Sequence, residues 1–288
     1  MLRSVVSRIG PALPVMGLGT WRMGEDAARR RSEIAALRLA LELGYRLIDS
    51  AEMYGEGGAE EVVGNALEGA LRQGVVGRDE LVVVSKVYPH HATRDGIPAA
   101  CERSLRRLGL DRIDLYLLHW RGAVPLEETV RALTALVAQG RIGAWGVSNF
   151  DRADLLELRA ACAGVEGAAC AANQVHYSVR ARGVEFDLLP WLREHAMPLM
   201  AYSPIDQGAL ARDRALAAVG ARHAASAAQI ALARLLAQPG VVAIPKAVRP
   251  EHLRANLAAA SIALSAADVA EIDRAYPPPH RAAPLSML

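Results

Sequence analysis

Asp49, Tyr54, Lys86 and His119 are of types that could act together on a polar bond. A phenol, ordinarily titrating near pH ~10, is a poor acid–base group at neutral pH until its surroundings shift it. A neighbouring lysine ammonium favours the phenolate by direct charge, and an aspartate carboxylate can hold that lysine in place. A neutral histidine can hydrogen-bond a substrate oxygen without bringing a charge of its own. The four together suit protonation of a carbonyl oxygen as negative charge develops on it, with Lys86 expected to draw the Tyr54 pKa down. The lysines stand out on composition too. Of 33 basic residues only Lys86 and Lys246 are lysine, and the other 31 are arginine. A chain that meets nearly every basic need with arginine uses lysine where a compact, tunable ammonium is required. No serine or cysteine elbow points to acyl transfer. His90 and His91 are adjacent, which turns their rings apart, and no HxH or HExxH occurs, so no metal site is expected.

For these groups to meet, the chain must fold so that distant segments end at one place. Eight short, mostly apolar runs read as strands: Val15–Gly19, Tyr45–Asp49, Leu81–Ser85, Ile113–Leu118, Ile142–Val147, Ala172–Val175, Pro198–Ala201 and Val241–Ile244. Uniformly apolar strands belong to a parallel sheet covered on both faces. Between them lie stretches of helical period, such as Ile34, Leu37, Leu41 and Leu126, Val130, Leu133, Val137. Eight strands, each followed by a helix, in 288 residues predict an α/β fold, the (β/α)8 TIM barrel, as a single domain over 1–288. The rival doubly wound sheet lacks its glycine fingerprint, since the first strand runs into Gly17-Leu18-Gly19-Thr20-Trp21. Residues 2–14 predict a short N-terminal hairpin. Ser265 and Asp268 form a capping-box pattern for one extra C-terminal helix, closed by Pro277–Pro279.

In such a barrel the chemistry lies on the loops after the C-terminal strand ends. Asp49 follows strand two, Lys86 strand three, His119 strand four and Ser148-Asn149 strand five. Strand six ends at Gln174, strand seven at Tyr202-Ser203 and strand eight at Lys246. Polar ends on apolar strands converge on one mouth.

Composition limits the partners. With 52% hydrophobic residues the chain can bury a large core, and a net charge of +2 gives no reason to expect nucleic acid or an anionic membrane. No apolar run approaches the ~18–20 residues of a membrane span. Pro11 and Pro14 break the N-terminal segment that follows Arg3 and Arg8, so no signal peptide is expected. Cys101, Cys162 and Cys170 form an odd set without a CxxC, which predicts reduced thiols and a cytoplasmic address. A monomer is expected.

Several segments carry a family. Gly44-Tyr45-Arg46-Leu47-Ile48-Asp49-Ser50-Ala51 followed by Met53-Tyr54-Gly55 resembles the signature of the aldo-keto reductases. So do Val84-Ser85-Lys86, Asp114–Trp120, Gly146–Phe150, Asn173–Tyr177 and Ile244-Pro245-Lys246, in the family's order along almost the whole chain. The resemblance implies hydride transfer from NADPH to an aldehyde or ketone. It makes Tyr54 the general acid, Lys86 and Asp49 the pair that tunes it, and His119 the group that orients the carbonyl. It assigns Ser148, Asn149 and Gln174 to the nicotinamide amide and Tyr202 to stacking on the nicotinamide ring. Gly19, Thr20 and Trp21 look like the rim beside the cofactor, and Ser203 to Leu210, with Gly208, like the turn over its pyrophosphate. Lys246 and Asn256 look like part of the 2′-phosphate site. The family often has Ser or Thr after the strand-eight lysine and Arg six residues beyond it. Here they are Ala247 and His252, with Arg249 a candidate substitute, so NADH stays open beside NADPH. The C-terminal prolines look like those of bacterial members that reduce small reactive aldehydes, such as methylglyoxal reductases.

Trp21, Tyr88 and Trp120 are the candidate walls of an apolar substrate pocket. Two alternatives use the same residues differently: a Schiff-base lyase built on Lys86, and a nucleotide-sensing regulatory subunit on the same fold. The lyase leaves Tyr54, Gln174 and Tyr202 without roles.

Overall fold

Alternation along the strands decides what faces the barrel axis. The computed structural model describes residues 2–288. An antiparallel hairpin of β1 (Ser4–Val5) and β2 (Leu13–Pro14) comes first. Eight parallel strands follow: β3 (Leu18–Gly19), β4 (Leu47–Asp49), β5 (Val82–Val87), β6 (Ile113–Leu118), β7 (Ile142–Ser148), β8 (Cys170–His176), β9 (Leu199–Tyr202) and β10 (Val241–Ala243). Each of these pairs with the next in chain order. Parallel bridges from Met16 to Ala243 and from Gly19 to Lys246 join the first strand to the last and close the ring. Side chains two apart point the same way on a strand. Leu47, Val82, Val84, Leu115, Leu117, Ala172, Met200, Val242 and Ile244 accordingly form one cluster inside the barrel, with Leu13 of the hairpin packed against it. The residues between them, such as Ile48, Val83, Tyr116, Val175 and Ala243, belong to the larger core between strands and helices.

Among the described residues ten α-helices surround the ring. The first six are α1 (Arg30–Leu43), α2 (Gly58–Arg72), α3 (Gly96–Leu108), α4 (Leu126–Ala138), α5 (Arg152–Ala163) and α6 (Leu188–Glu194). Then come α7 (Arg214–Arg222), α8 (Ala227–Leu236), α9 (Pro250–Ala259) and α10 (Ala266–Ala275). Several features depart from the reading of the sequence: β7 takes in Ser148 and β8 runs past Gln174 to His176. The β9–β10 connection carries two helices rather than one, the first of them capped where the Asp213 carboxylate accepts the Leu216 N–H at 2.9 Å. And β5 runs on to Val87, because Lys86 and Val87 stay in register with Leu117 and Leu118, so Lys86 lies within a strand rather than after it. The C-terminal capping box forms as read: Ser265 Oγ accepts the Asp268 N–H at 3.1 Å, and Asp268 Oδ2 accepts the Ser265 N–H at 2.9 Å.

Candidate active site

The inward parity of the apolar layers continues into the polar strand ends. Asp49 follows Leu47 by two, Lys86 follows Val84, His119 follows Leu117, Gln174 follows Ala172, Tyr202 follows Met200 and Lys246 follows Ile244. The residues that fill the barrel thus dictate which side chains line its mouth.

Lys86 is the centre. Its Nζ donates to Asp49 Oδ2 at 2.8 Å, to the Ser50 carbonyl at 2.8 Å and to Tyr54 Oη at 3.1 Å. The lysine side chain is 0% exposed and the aspartate 2%. Three acceptors for three ammonium protons, at a side chain shut off from the surface, fix both the charge and the position of this group. Burial works against the Lys86 ammonium, but Asp49 and then Tyr54 outweigh it, and its pKa is raised. Tyr54 departs from the sequence expectation. Burial pushes its phenol above the ordinary value, Lys86 pulls the other way, and Asp49 adds to the rise. The sequence shows the charges but not the depth, and here depth wins. Tyr54 is a phenol kept protonated next to a cation.

His119 completes the set. Its ring meets the Tyr54 ring edge-on at 5.8 Å. Its Nδ1 is buried with no partner, which leaves Nε2 as the nitrogen open to the mouth. Burial, then the Lys86 charge, hold its pKa well below the usual histidine value. The imidazole is neutral and can donate one hydrogen bond from Nε2–H. Tyr54 itself opens a tight turn, Tyr54–Gly57, in which Gly55 has φ 58°.

The residues assigned to the cofactor lie around this centre. Tyr202 Oη donates to Asn149 Oδ1 at 3.0 Å, and Asn149 Nδ2 donates to Ser148 Oγ at 3.2 Å. Asn149, Ser203 and Gly208 adopt left-handed backbone, with φ of 58°, 46° and 95°. Gln174 stands at the same mouth, beside Asp49. Its side-chain amide donates to Asp49 Oδ1 at 2.7 Å and so braces the Lys86 partner. Thr20 Oγ1 donates to the Asp49 carbonyl at 2.9 Å. Leu210 is buried. Lys246 is exposed, and its pKa is lowered by partial burial and by Arg29 and Arg22, against Glu33. Glu33 and Glu25 as well as Arg29 and Arg22 act on this lysine, and beside the start of α9 it could meet an anion such as a phosphate group. Asn256 is buried in α9, and among the described residues no hydrogen bond joins it to Lys246. Of the three expected pocket walls, Trp120 lies tilted against His119 at 5.0 Å and meets Tyr88 edge-on at 6.0 Å. Trp21 is half-buried with the Arg22 guanidinium 4.5 Å above its ring.

The aldo/keto reductase family profile matches residues 15–277. The chain belongs to the aldo/keto reductase family. It is 48% identical to the methylglyoxal reductase YeaE of Escherichia coli K12 over 282 residues, 96% of each chain. A Klebsiella pneumoniae aldo-keto reductase solved in complex with NADPH superposes with a TM-score of 0.91 at 46% identity, covering 100% of both chains. Another structure of a K. pneumoniae aldo/keto reductase, with NADP and acetate, gives 0.90 over 99% of this chain and 100% of that one. This aldo/keto reductase is therefore an NAD(P)H-dependent oxidoreductase. Among its described residues no helix is long and apolar enough to cross a membrane, and all three cysteines are free.

Sequence reasoning passed over several groups of this aldo/keto reductase. Arg22 directly follows the rim motif and was legible as a cation, but its stacking on Trp21 was not. His176 stacks on Tyr202 at 5.5 Å and pairs with Ser286 Oγ at 2.9 Å, which brings the C-terminal segment to the mouth. Glu52 and Glu56, which flank the Met53-Tyr54-Gly55 segment, drew no attention because their partners lie more than 30 residues away.

Proposed function

We propose that the protein reduces small aldehydes and ketones, dicarbonyls such as methylglyoxal among them, at the barrel mouth with Tyr54 as proton donor. The carrying observation is the buried Asp49–Lys86–Tyr54 chain, at 2.8 and 3.1 Å, with neutral His119 against the tyrosine. A carbonyl oxygen placed between Tyr54 Oη and His119 Nε2 would receive two hydrogen bonds. As charge builds on that oxygen, the Tyr54 proton moves to it and Lys86, 3.1 Å away, stabilises the phenolate left behind. Asp49 and Gln174 hold Lys86 so that no reorganisation is needed at that moment. Bound NADPH would supply the hydride. Ser148, Asn149, Gln174 and Tyr202 would hold its nicotinamide end, with Gly19, Thr20, Trp21, Ser203, Gly208 and Leu210 along its length. Lys246, aided by Arg22 and Arg29, would meet its 2′-phosphate, with Asn256 near by in α9 and NADH as the weaker cofactor. The whole chain, 1–288, would act as one unit.

An imine-forming lysine needs a free amine, whereas Lys86 is held as ammonium by two oxygen partners besides the Ser50 carbonyl, which speaks against the lyase. The test is NADPH absorbance followed with a panel of small aldehydes, ketones and dicarbonyls. Turnover of the small reactive carbonyls supports the reading, and inertness toward every one of them contradicts it.

A further inference from the structure

Tyr88 is gripped at both ends by the segment that bears Tyr54. Its backbone N–H donates to Glu52 Oε1 at 2.7 Å, and its phenol donates to Glu56 Oε1 at 2.8 Å. Glu52 is only 5% exposed. Its Oε1 also lies 3.1 Å from His91 Nδ1, and its Oε2 lies 3.4 Å from Arg103 Nη2 on α3. Its own N–H donates to the Lys86 carbonyl at 3.2 Å. A carboxylate this buried is retained only with partners, and every side-chain partner here comes from the loop and helix after β5.

We propose that Glu52 is a positioning residue for substrate, clamping the Tyr88–His91 loop to the Tyr54 turn. The inference rests on the reading of the mouth as a carbonyl site. From Tyr54 the aromatic wall runs through His119 at 5.8 Å and Trp120 at 5.0 Å to Tyr88 at 6.0 Å. The far end of that wall is therefore fixed to the same short segment as the proton donor. Glu52 touches neither Lys86 Nζ nor Tyr54 Oη, so it sets where a substrate rests against the wall, not the proton transfer. Glu56 supplies the second tie, at the phenol.

The test compares E52A, E52Q and E56A with the wild type by steady-state kinetics and by amide hydrogen exchange. Losing a charge-assisted bond worth about 1.5–3 kcal/mol corresponds to roughly 10- to 100-fold, so E52A should raise KM for a small aldehyde by about tenfold or more. Its kcat should stay within about threefold and its Kd for NADPH should not move, because no transition-state contact is lost. The Tyr88 amide should exchange faster in E52A, while amides of β5 and β6 stay protected. E52Q keeps an oxygen for the Tyr88 N–H and should restore KM to near the wild-type value. E56A alters an exposed residue, so it reports even where E52A does not fold, and it should raise KM severalfold with kcat retained. Unchanged KM in E52A, or in E56A should E52A not fold, overturns the clamp, as does a fall in kcat or NADPH affinity in step with KM. A wild type without carbonyl reduction overturns the functional reading as well, whereas an active wild type with unaltered variants overturns the clamp alone.

Discussion

Lys86 has three acceptors and Tyr54 has one strong donor beside it, and this asymmetry fixes the protonation of the site. Tyr54 is raised by burial and His119 is lowered by burial and by Lys86, so neither changes charge around neutrality. Carbonyl reduction should therefore show a flat kcat/KM from about pH 6 to 9 and fall only on the alkaline side, as the phenol deprotonates above its ordinary ~10. A pH profile of kcat/KM checks this, and an inflection near the usual histidine value of ~6.5 would mean that His119 titrates in the reacting enzyme. Lys86→Arg should lose at least about tenfold in kcat, because a planar guanidinium cannot place single protons on Asp49, Ser50 and Tyr54 at once. Retained turnover in that variant would show that charge alone suffices. At this scale the sequence was informative about identity and poor about environment. The scarcity of lysine singled out Lys86 and Lys246, and the motif order placed Asp49, Tyr54 and His119. The direction of the Tyr54 shift depended on depth, and the Gln174–Asp49 bond joins residues far apart in the chain, so neither had a local signal.

Strands carry the site because inward parity is shared by filler and function. The cost of that economy is tight packing in the layer directly beneath the mouth. A Cβ added at Gly17 would fall 2.7 Å from Leu47 Cγ and Cδ2 and 3.0 Å from Ile244 Cγ2. Gly17→Ala should thus destabilise the protein by about 1–3 kcal/mol, the usual penalty for overpacking a filled core. Denaturant melts measure this, and an unchanged midpoint would show that the inner layer yields where the first strand passes Leu47. The eight strands were legible because short apolar runs of β-branched residues punctuate helical stretches. Their ends were less so: β5 continues through Lys86 because its neighbour β6 extends equally far, a pairing no single segment reveals. The second helix between β9 and β10 was missed because the sequence reading allotted one helix to each strand.

Across the whole molecule, the mouth places an aromatic wall on one side and the Lys246 cluster on another. The 2′-phosphate is the only feature that separates NADPH from NADH. Lys246→Ala should raise Kd for NADPH by about 10- to 100-fold and leave NADH nearly unchanged, the loss of one charge-assisted contact. Fluorescence titration of both cofactors checks it, and equal weakening of the two would move Lys246 to the pyrophosphate. The central claim, however, is that the buried Asp49–Lys86 pair serves one phenol. Tyr54→Phe removes only that hydroxyl from the site. NADPH consumption with methylglyoxal, measured beside NADPH binding for wild type and variant, tests this most directly. The account predicts that kcat falls by at least about 100-fold, within the ~10²–10⁴-fold range of a positioned acid, with Kd for NADPH unchanged. A Tyr54→Phe protein that kept more than roughly a tenth of wild-type kcat, above anything that range permits, would contradict it.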